Sequence, residues 1–153
     1  MPIVALVDTN VWISALINPR GHPARLKDAW LESQFQIVVS VALLDELVDV
    51  LSRPRIRDKY RLGAGDIAEF LRLIAENSIQ VTTIGDLQLC RDPDDDLMLE
   101  TALLGHAQFA VSRDDDLKRD QDLISKMNEH GIEVLSVQQF LDRLEITSIP
   151  PAT

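Results

Sequence analysis

The first apolar segment of the chain is short and lacks polar alternation. Val4–Val7 are all apolar, three polar residues from Asp8 to Asn10 follow, and apolar positions resume at Val11. Such a run is typical of a strand that is buried on both faces of a parallel sheet. Ligands of open α/β sheets bind outside the carboxyl ends of the strands, so Asp8 lies at the predicted working edge. Taken alone, Asp8 or Thr9 is better explained as the N-cap of the next helix.

Short apolar runs and segments of helical periodicity alternate along the rest of the chain. The predicted strands after the first are Phe35–Val39, Ile79–Ile84, Phe109–Val111 and Ile132–Leu135. The predicted helices are Val11–Ile17, His22–Glu32, Val41–Ser52, one that opens near Asp66, Leu97–Leu104, Leu117–Glu129 and Val137–Leu144. Strands that alternate with helices predict right-handed crossovers and an α/β fold with a central, mainly parallel, five-stranded sheet.

The length of 153 residues suits one domain with a substantial core. We assign residues 1–145 to that domain and residues 146–153, which contain two prolines, to a flexible tail. Neither a bilayer-spanning apolar run nor a signal peptide is recognisable. A single cysteine, Cys90, cannot form an internal disulfide. We therefore expect a cytoplasmic protein without a membrane partner, in which Cys90 is a small buried hydrophobic residue.

The formal net charge of −10 argues against general electrostatic adhesion to nucleic acid. Two local features change this picture. Carboxylates cluster at predicted strand ends, where a divalent cation would offset their charge. In addition, Asp58 is the only acid in a basic stretch from 53 to 61, whose cations are Arg53, Arg55, Arg57, Lys59 and Arg61.

Four acids occupy related positions around the predicted sheet. Asp8 follows the first strand and Asp114 the fourth, so parallel strands bring both to one edge. Glu46 lies early in the helix after the second strand, and Asp96 opens the helix before the fourth. Like charges that are buried together destabilise each other unless they are compensated, and hard oxygen ligands suit Mg²⁺ or Mn²⁺. Zinc is not expected, because the three histidines are widely spaced and the chain has one cysteine.

The four acidic motifs resemble, in series, those of the PIN-domain family. The resemblance rests on D-T-N-V at Asp8, a glutamate in the helix after strand two, D-P-D-D-D-L-M-L-E-T-A-L from Asp92, and V-S-R-D-D-D-L from Val111. It extends from Ile3 to Leu144 and is strongest for the bacterial and archaeal branch of toxins in toxin–antitoxin pairs. It implies a three-layer α/β/α sandwich and metal-dependent RNA cleavage, often by a homodimer that an antitoxin holds silent.

By position, the resemblance also implies the members of the site. The catalytic and metal-binding acids would be Asp8, Glu46, Asp96 and Asp114, with Asp116 as a candidate fifth metal ligand and Asn10 and Ser112 as polar supports. Asp94 or Asp95 could contribute in place of Asp96 or beside it, and Asp115 is expected to face solvent. Mg²⁺ or Mn²⁺ would be the cofactor and RNA the substrate.

Several interpretations stay open at this stage. The basic stretch is explained equally well as a contact for RNA phosphates, as a contact for an antitoxin, or as a solvated loop and helix turn. A phosphatase with a strand-end aspartate as nucleophile would normally carry a second aspartate at the position of Asn10. The acidic motifs are also compatible with a DNA nuclease and with a catalytically silent scaffold of the same fold that binds a protein partner.

Overall fold

A five-stranded parallel sheet forms the centre of the molecule in the computed structural model, which describes residues 2–148. The strands follow the order β3-β2-β1-β4-β5, and every neighbouring pair is parallel. Their bounds are β1 Val4–Val7, β2 Gln36–Ser40, β3 Ser78–Val81, β4 Phe109–Ser112 and β5 Glu133–Ser136. The predicted fold class is confirmed. Because β1 lies between β2 and β4, the chain reverses its direction of winding at β1, where open α/β sheets form ligand crevices.

Helices cover both faces of the sheet. Their bounds are α1 Thr9–Ile17, α2 His22–Leu31, α3 Val41–Ser52, α4 Pro54–Tyr60, α5 Ala64–Glu76, α6 Pro93–Leu104, α7 Asp114–Arg119, α8 Gln121–Glu129 and α9 Val137–Ser148. Successive strand residues point to opposite faces. Leu6, Val38 and Ala110 pack in a core with α6 and α8. Ala5 and Ile37 pack in a second core with α1, α2, α3, α5 and α9. The α/β/α sandwich implied by the resemblance is therefore confirmed.

The C-terminal end of α6 approaches the sheet very closely. A Cβ atom placed on Gly105 would lie 2.2 Å from the Cγ2 atom of Val38 in β2. Only a residue without a side chain allows this contact. This contact fixes the C-terminal end of α6 against the sheet. It therefore helps to position the acidic first turn at the other end of the helix.

The helix boundaries differ from the predicted ones in two informative places. The single helix predicted over Leu117–Glu129 begins at Asp114 and is divided at Asp120, which closes α7 and opens α8. The helix predicted to begin at Leu97 starts at Pro93, because the side chain of Asp92 accepts a hydrogen bond from the amide of Asp94 and caps it. Both changes place acidic residues inside the first turn of a helix.

The C-terminal helix α9 extends through Ser148. The first residues assigned to the tail, 146–148, therefore continue the helix, and 149–153 lie outside the described residues. Across residues 2–148, no helix combines the length and the apolar character that crossing a membrane requires.

Candidate active site

Asp8 lies at the carboxyl end of β1, beside the end of β4. Its backbone amide donates a hydrogen bond of 2.9 Å to the carbonyl oxygen of Val111. Its carboxylate caps α1 by accepting a hydrogen bond of 3.4 Å from the amide of Asn10. One carboxylate oxygen is thus used by the helix cap. The cap and the predicted functional role are compatible, since a carboxylate has several acceptor positions.

Asp116 is the acid that the fold brings to Asp8. Its side chain is buried, and the Nδ2 atom of Asn10 donates a hydrogen bond of 3.2 Å to its Oδ2 atom. The guanidinium group of Arg119, one turn further along α7 and largely exposed, forms an ion pair with its Oδ1 atom. Asn10 therefore links the start of α1 to the start of α7.

The environment of Asp8 opposes a negative charge. The pKa of Asp8 is raised from 3.8 to about 7, first by burial and then by the charge of Asp116, against the lowering effect of the Asn10 amide. Glu46 contributes a smaller effect of the same sign. A cluster of this kind favours a proton or a cation.

Asp8 and Asp116 form what we call the acidic centre, and Glu46 approaches it from α3. Partial burial raises its pKa, the charge of Asp94 raises it as well, and Arg53 lowers it. Asp94, in the first turn of α6, thus lies within electrostatic reach of Glu46, which in turn acts on Asp8. Both side chains are exposed, so they form the open side of the acidic centre.

A second group of acids continues from the centre along the start of α8. The pKa of Asp95 is raised to about 6, first by burial and then by the charges of Asp120, Asp92 and Asp122. The pKa of Asp120 is raised by burial and then by the charge of Asp116. The charge of the centre is therefore linked, through Asp116 and Asp120, to a band of carboxylates near the first turn of α6.

Asp96 points away from this band. It is buried, and its Oδ1 atom accepts hydrogen bonds of 2.9 Å from the amide of Leu89 and 2.7 Å from that of Cys90. These bonds, led by that of Cys90, lower the pKa of Asp96. One turn later, Glu100 accepts hydrogen bonds from the amides of Ile84 and Gly85 in the same way. Both carboxylates hold the segment 82–92 against α6.

Cys90 is half-buried beside Asp96. The pKa of its thiol is raised to about 12, first by burial and then by a hydrogen bond with Asp96 and the charge of that carboxylate. A thiol with so high a pKa is a poor nucleophile near neutral pH. The sequence predicts a buried Cys90; the residue is only half-buried, but it packs against the core of α6 and α8.

Asp114 and Asp8 line different depressions. The side chain of Asp114 is exposed and lines a depression of about 330 Å³ at the ends of β4 and β5, together with His22 and Arg113. Asp115 is exposed and forms an ion pair with Arg113. At 3.6 residues per turn, side chains two positions apart are about 200° apart around a helix. The side chains of Asp114 and Asp116 therefore face opposite ways. Asp116, and not the predicted catalytic residue Asp114, faces Asp8.

Ser112, predicted as a polar support, is buried at the end of β4 and lines one crevice with Asp8, Asp116 and Asp120. In the described part of the chain, no three acidic, histidine or cysteine side chains converge closely enough to enclose a metal ion. Of the predicted acids, the structure thus brings Asp8 and Asp116 together. Glu46 is linked to them because its charge raises the pKa of Asp8.

The basic stretch forms a helix of its own. It lies at α4, where no residue is buried, and follows directly after α3. Arg53 joins it to α3 through an ion pair of 2.9 Å with Asp49. The stretch is therefore an exposed, cationic helix at the far end of the helix that carries Glu46.

Comparison with known proteins supports the fold. The PIN domain family matches residues 4–116, which include the sheet from β1 to β4 and all the acids of the centre. The uncharacterized protein MJ1680 of Methanocaldococcus jannaschii is 30% identical over 145 residues, which cover 94% of this chain and 92% of that protein.

Proposed function

The chain belongs to the PIN-domain family, and from this premise we propose that it is a divalent-metal-dependent endoribonuclease centred on Asp8, Asp116 and Glu46. A PIN domain is a nuclease-type fold that usually depends on a metal ion. The observation that supports the proposal best is the juxtaposition of Asp8 and Asp116 at the carboxyl edge of the sheet. The pKa of Asp8 is raised there, first by burial and then by the charge of Asp116, so the position favours a proton or a bound cation.

The donor chemistry of these acids fits a hard divalent cation, although their side chains must come closer together than they lie in the described structure to enclose one. Asp8, Asp116 and Glu46 offer oxygen ligands only, which is the donor set of Mg²⁺ or Mn²⁺. Asp94 is the most suitable further ligand from α6, because it acts on Glu46, whereas the carboxylate of Asp96 is engaged by backbone amides. A bound ion would lower the pKa of a water molecule and offset the charge that develops on the phosphate.

The chain's own residues divide the remaining tasks. Asn10 fixes the direction of the Asp116 carboxylate, because it donates to one of its oxygens. Glu46 lies on the open side, where a phosphodiester can approach. Arg119 is largely exposed beside Asp116, so its guanidinium group can contact the non-bridging oxygens of a phosphate.

We also propose a biological role, that of the toxin in a toxin–antitoxin pair, acting as a homodimer until an antitoxin binds. The support for this role is the similarity of the four acidic motifs to that branch of the family. Induced expression should arrest growth, and the Asp8→Asn variant should not. Growth that is unaffected by the wild type would contradict the toxin role while leaving the nuclease proposal intact.

The nuclease proposal is tested by cleavage assays on purified protein. Single-stranded RNA, structured RNA and single-stranded DNA are each incubated with Mn²⁺, with Mg²⁺ and with EDTA. We expect RNA cleavage that requires metal and is lost in Asp8→Asn. The matched control is Asp115→Asn, which changes the net charge by the same amount but removes an exposed carboxylate, and it should retain activity. Cleavage of DNA alone, or cleavage that persists in EDTA, would overturn the proposal.

A further inference from the structure

The helix α4 concentrates positive charge on an acidic protein. Arg53 pairs with Asp49, whereas the other four cations of the stretch form no ion pair within residues 2–148. Those four are Arg55, Arg57, Lys59 and Arg61, and the only acid among them is Asp58. Side chains held this way are available to an anion from outside.

The stability of the helix explains only part of this charge. Cations in the last turn, here Arg57 and Lys59, are favoured by the helix dipole. Arg53, the N-cap residue, already pairs with Asp49, but Arg55 stands in the N-terminal turn, where the dipole disfavours a positive charge. The helix itself therefore does not account for the charge of Arg55.

The position of α4 connects it to the acidic centre. Glu46 and Arg53 are seven residues apart in sequence, so they share one side of the helical path. A rise of 1.5 Å per residue separates them by roughly 10 Å. The basic helix thus begins within a few nucleotides of the acids.

An aromatic ring lies among the cations. Tyr60 is partly exposed, and the Nζ atom of Lys59 lies 5.2 Å from the centre of its ring. On a helix, residues four apart share a side, so Arg55 and Lys59 lie to one side of Tyr60 and Arg57 lies to the other. Cations that flank an exposed ring are the combination with which proteins bind unpaired nucleotides.

We propose that α4 binds the single-stranded segment of RNA that flanks the cleaved phosphodiester, with its cations on phosphates and Tyr60 stacked on a base. This inference rests on the proposed function for the identity of the substrate. It explains how a protein with a net charge of −10 attracts a polyanion to a centre of carboxylates. A paired duplex would offer phosphates but no free base for the ring, so a single strand is the favoured form.

The test measures binding separately from cleavage. A fluorescent single-stranded RNA is titrated in EDTA at several salt concentrations with the wild type and with an Arg55→Gln/Lys59→Gln variant. The slope of log K against log salt is negative, and each lost phosphate contact on a single strand makes it less negative by about 0.7. We therefore expect the slope of the variant to be less negative by about 1.4. Tyr60→Ala should weaken binding at least about fivefold, whereas Tyr60→Phe retains the ring and should bind like the wild type.

The matched control is Lys126→Gln/Arg143→Gln, which removes the same charge near the amino end of β5, at the opposite edge of the sheet. Its salt slope should equal that of the wild type. Equal slopes for the α4 variant and the wild type would overturn the inference and leave α4 to a protein partner such as an antitoxin. If RNA cleavage persists in that case, the proposed function stands. If binding follows α4 but no RNA is cleaved, the proposed function fails alone.

Discussion

The Nδ2 atom of Asn10 lies 3.2 Å from the Oδ2 atom of Asp116, although the two residues are 106 positions apart in the chain. This bond connects the turns that follow β1 and β4, the two central strands of the site. It also fixes which aspartate of the motif after β4 faces Asp8. A donor of two N–H groups beside a buried carboxylate holds it in place without adding charge.

The first prediction separates Asp116 from Asp114. Asp116→Asn should lower kcat/KM for RNA by about 100-fold or more, because it removes a proposed ligand that lies beside Asp8. Asp114→Asn should change kcat/KM by less than about threefold, since an exposed residue in a separate depression leaves the centre intact. Metal-dependent RNA cleavage under initial-rate conditions measures both. A larger loss of kcat/KM in Asp114→Asn than in Asp116→Asn would show that Asp114 is the catalytic acid, as its position in the sequence indicates.

The second prediction concerns the free energy of unfolding of Asp8→Asn in EDTA. The pKa of Asp8 is 3.8 in the unfolded chain and about 7 in the fold, so the folded protein holds more protons between these values. Stability of the wild type therefore falls as pH rises from about 4 to about 7. Asparagine retains an acceptor for the Asn10 amide and carries no charge. The variant should match the wild type near pH 4 and exceed it by up to about 4 kcal/mol above pH 7.

Urea denaturation at pH 4, 5.5, 7 and 8 tests this difference. The pH dependence is the specific signal, because a general effect of the substitution would shift all four values alike. A variant that is less stable than the wild type at pH 8 would show that the charge of Asp8 is compensated within the fold.

The third prediction assigns Asp96 a structural role. Asp96→Asn replaces a charged acceptor of two backbone amides by a neutral one. Hydrogen bonds to charged groups contribute about 1.5–3 kcal/mol, and we expect a loss of unfolding free energy of that order. Asp94→Asn, at an exposed position in the same helix turn, is the matched control and should leave stability nearly unchanged. If Asp96→Asn has normal stability but no activity, the residue belongs to the catalytic centre instead.

The fold can be predicted well because its signals are local. Short apolar runs identify the strands, and Ser40 is recognisable as the N-cap of α3, where its hydroxyl accepts from the amide of Leu43. Asp8 is likewise found from the end of one strand. These features depend on neighbouring residues and on rules for parallel sheets.

The choice among adjacent aspartates cannot be made in this way. Residues 94–96 and 114–116 are each a run of three aspartates, and composition makes the members of a run equivalent. Their directions depend on where each helix begins, and both α6 and α7 begin earlier than their apolar periodicity indicates. A shift of one residue turns a side chain by about 100°. One signal in the sequence could have identified Asp116. Arg119 follows it by three residues, a spacing that allows an ion pair on one face of a helix.

The last prediction uses that pair. Because Arg119 forms an ion pair with the Oδ1 atom of Asp116, it competes with any cation for this oxygen. Its side chain is 71% exposed, and exposed ion pairs contribute about 0.2–1 kcal/mol, so Arg119→Gln should tighten Mn²⁺ binding by up to about fivefold. If Arg119 also contacts the phosphate, the same variant should bind RNA more weakly and raise KM. Calorimetric titration with Mn²⁺ and steady-state cleavage thus give opposite shifts from one substitution. Arg113→Gln, whose exposed partner is Asp115, serves as the control and should alter neither value. Weaker Mn²⁺ binding in Arg119→Gln would instead show that the arginine orients Asp116 for the metal.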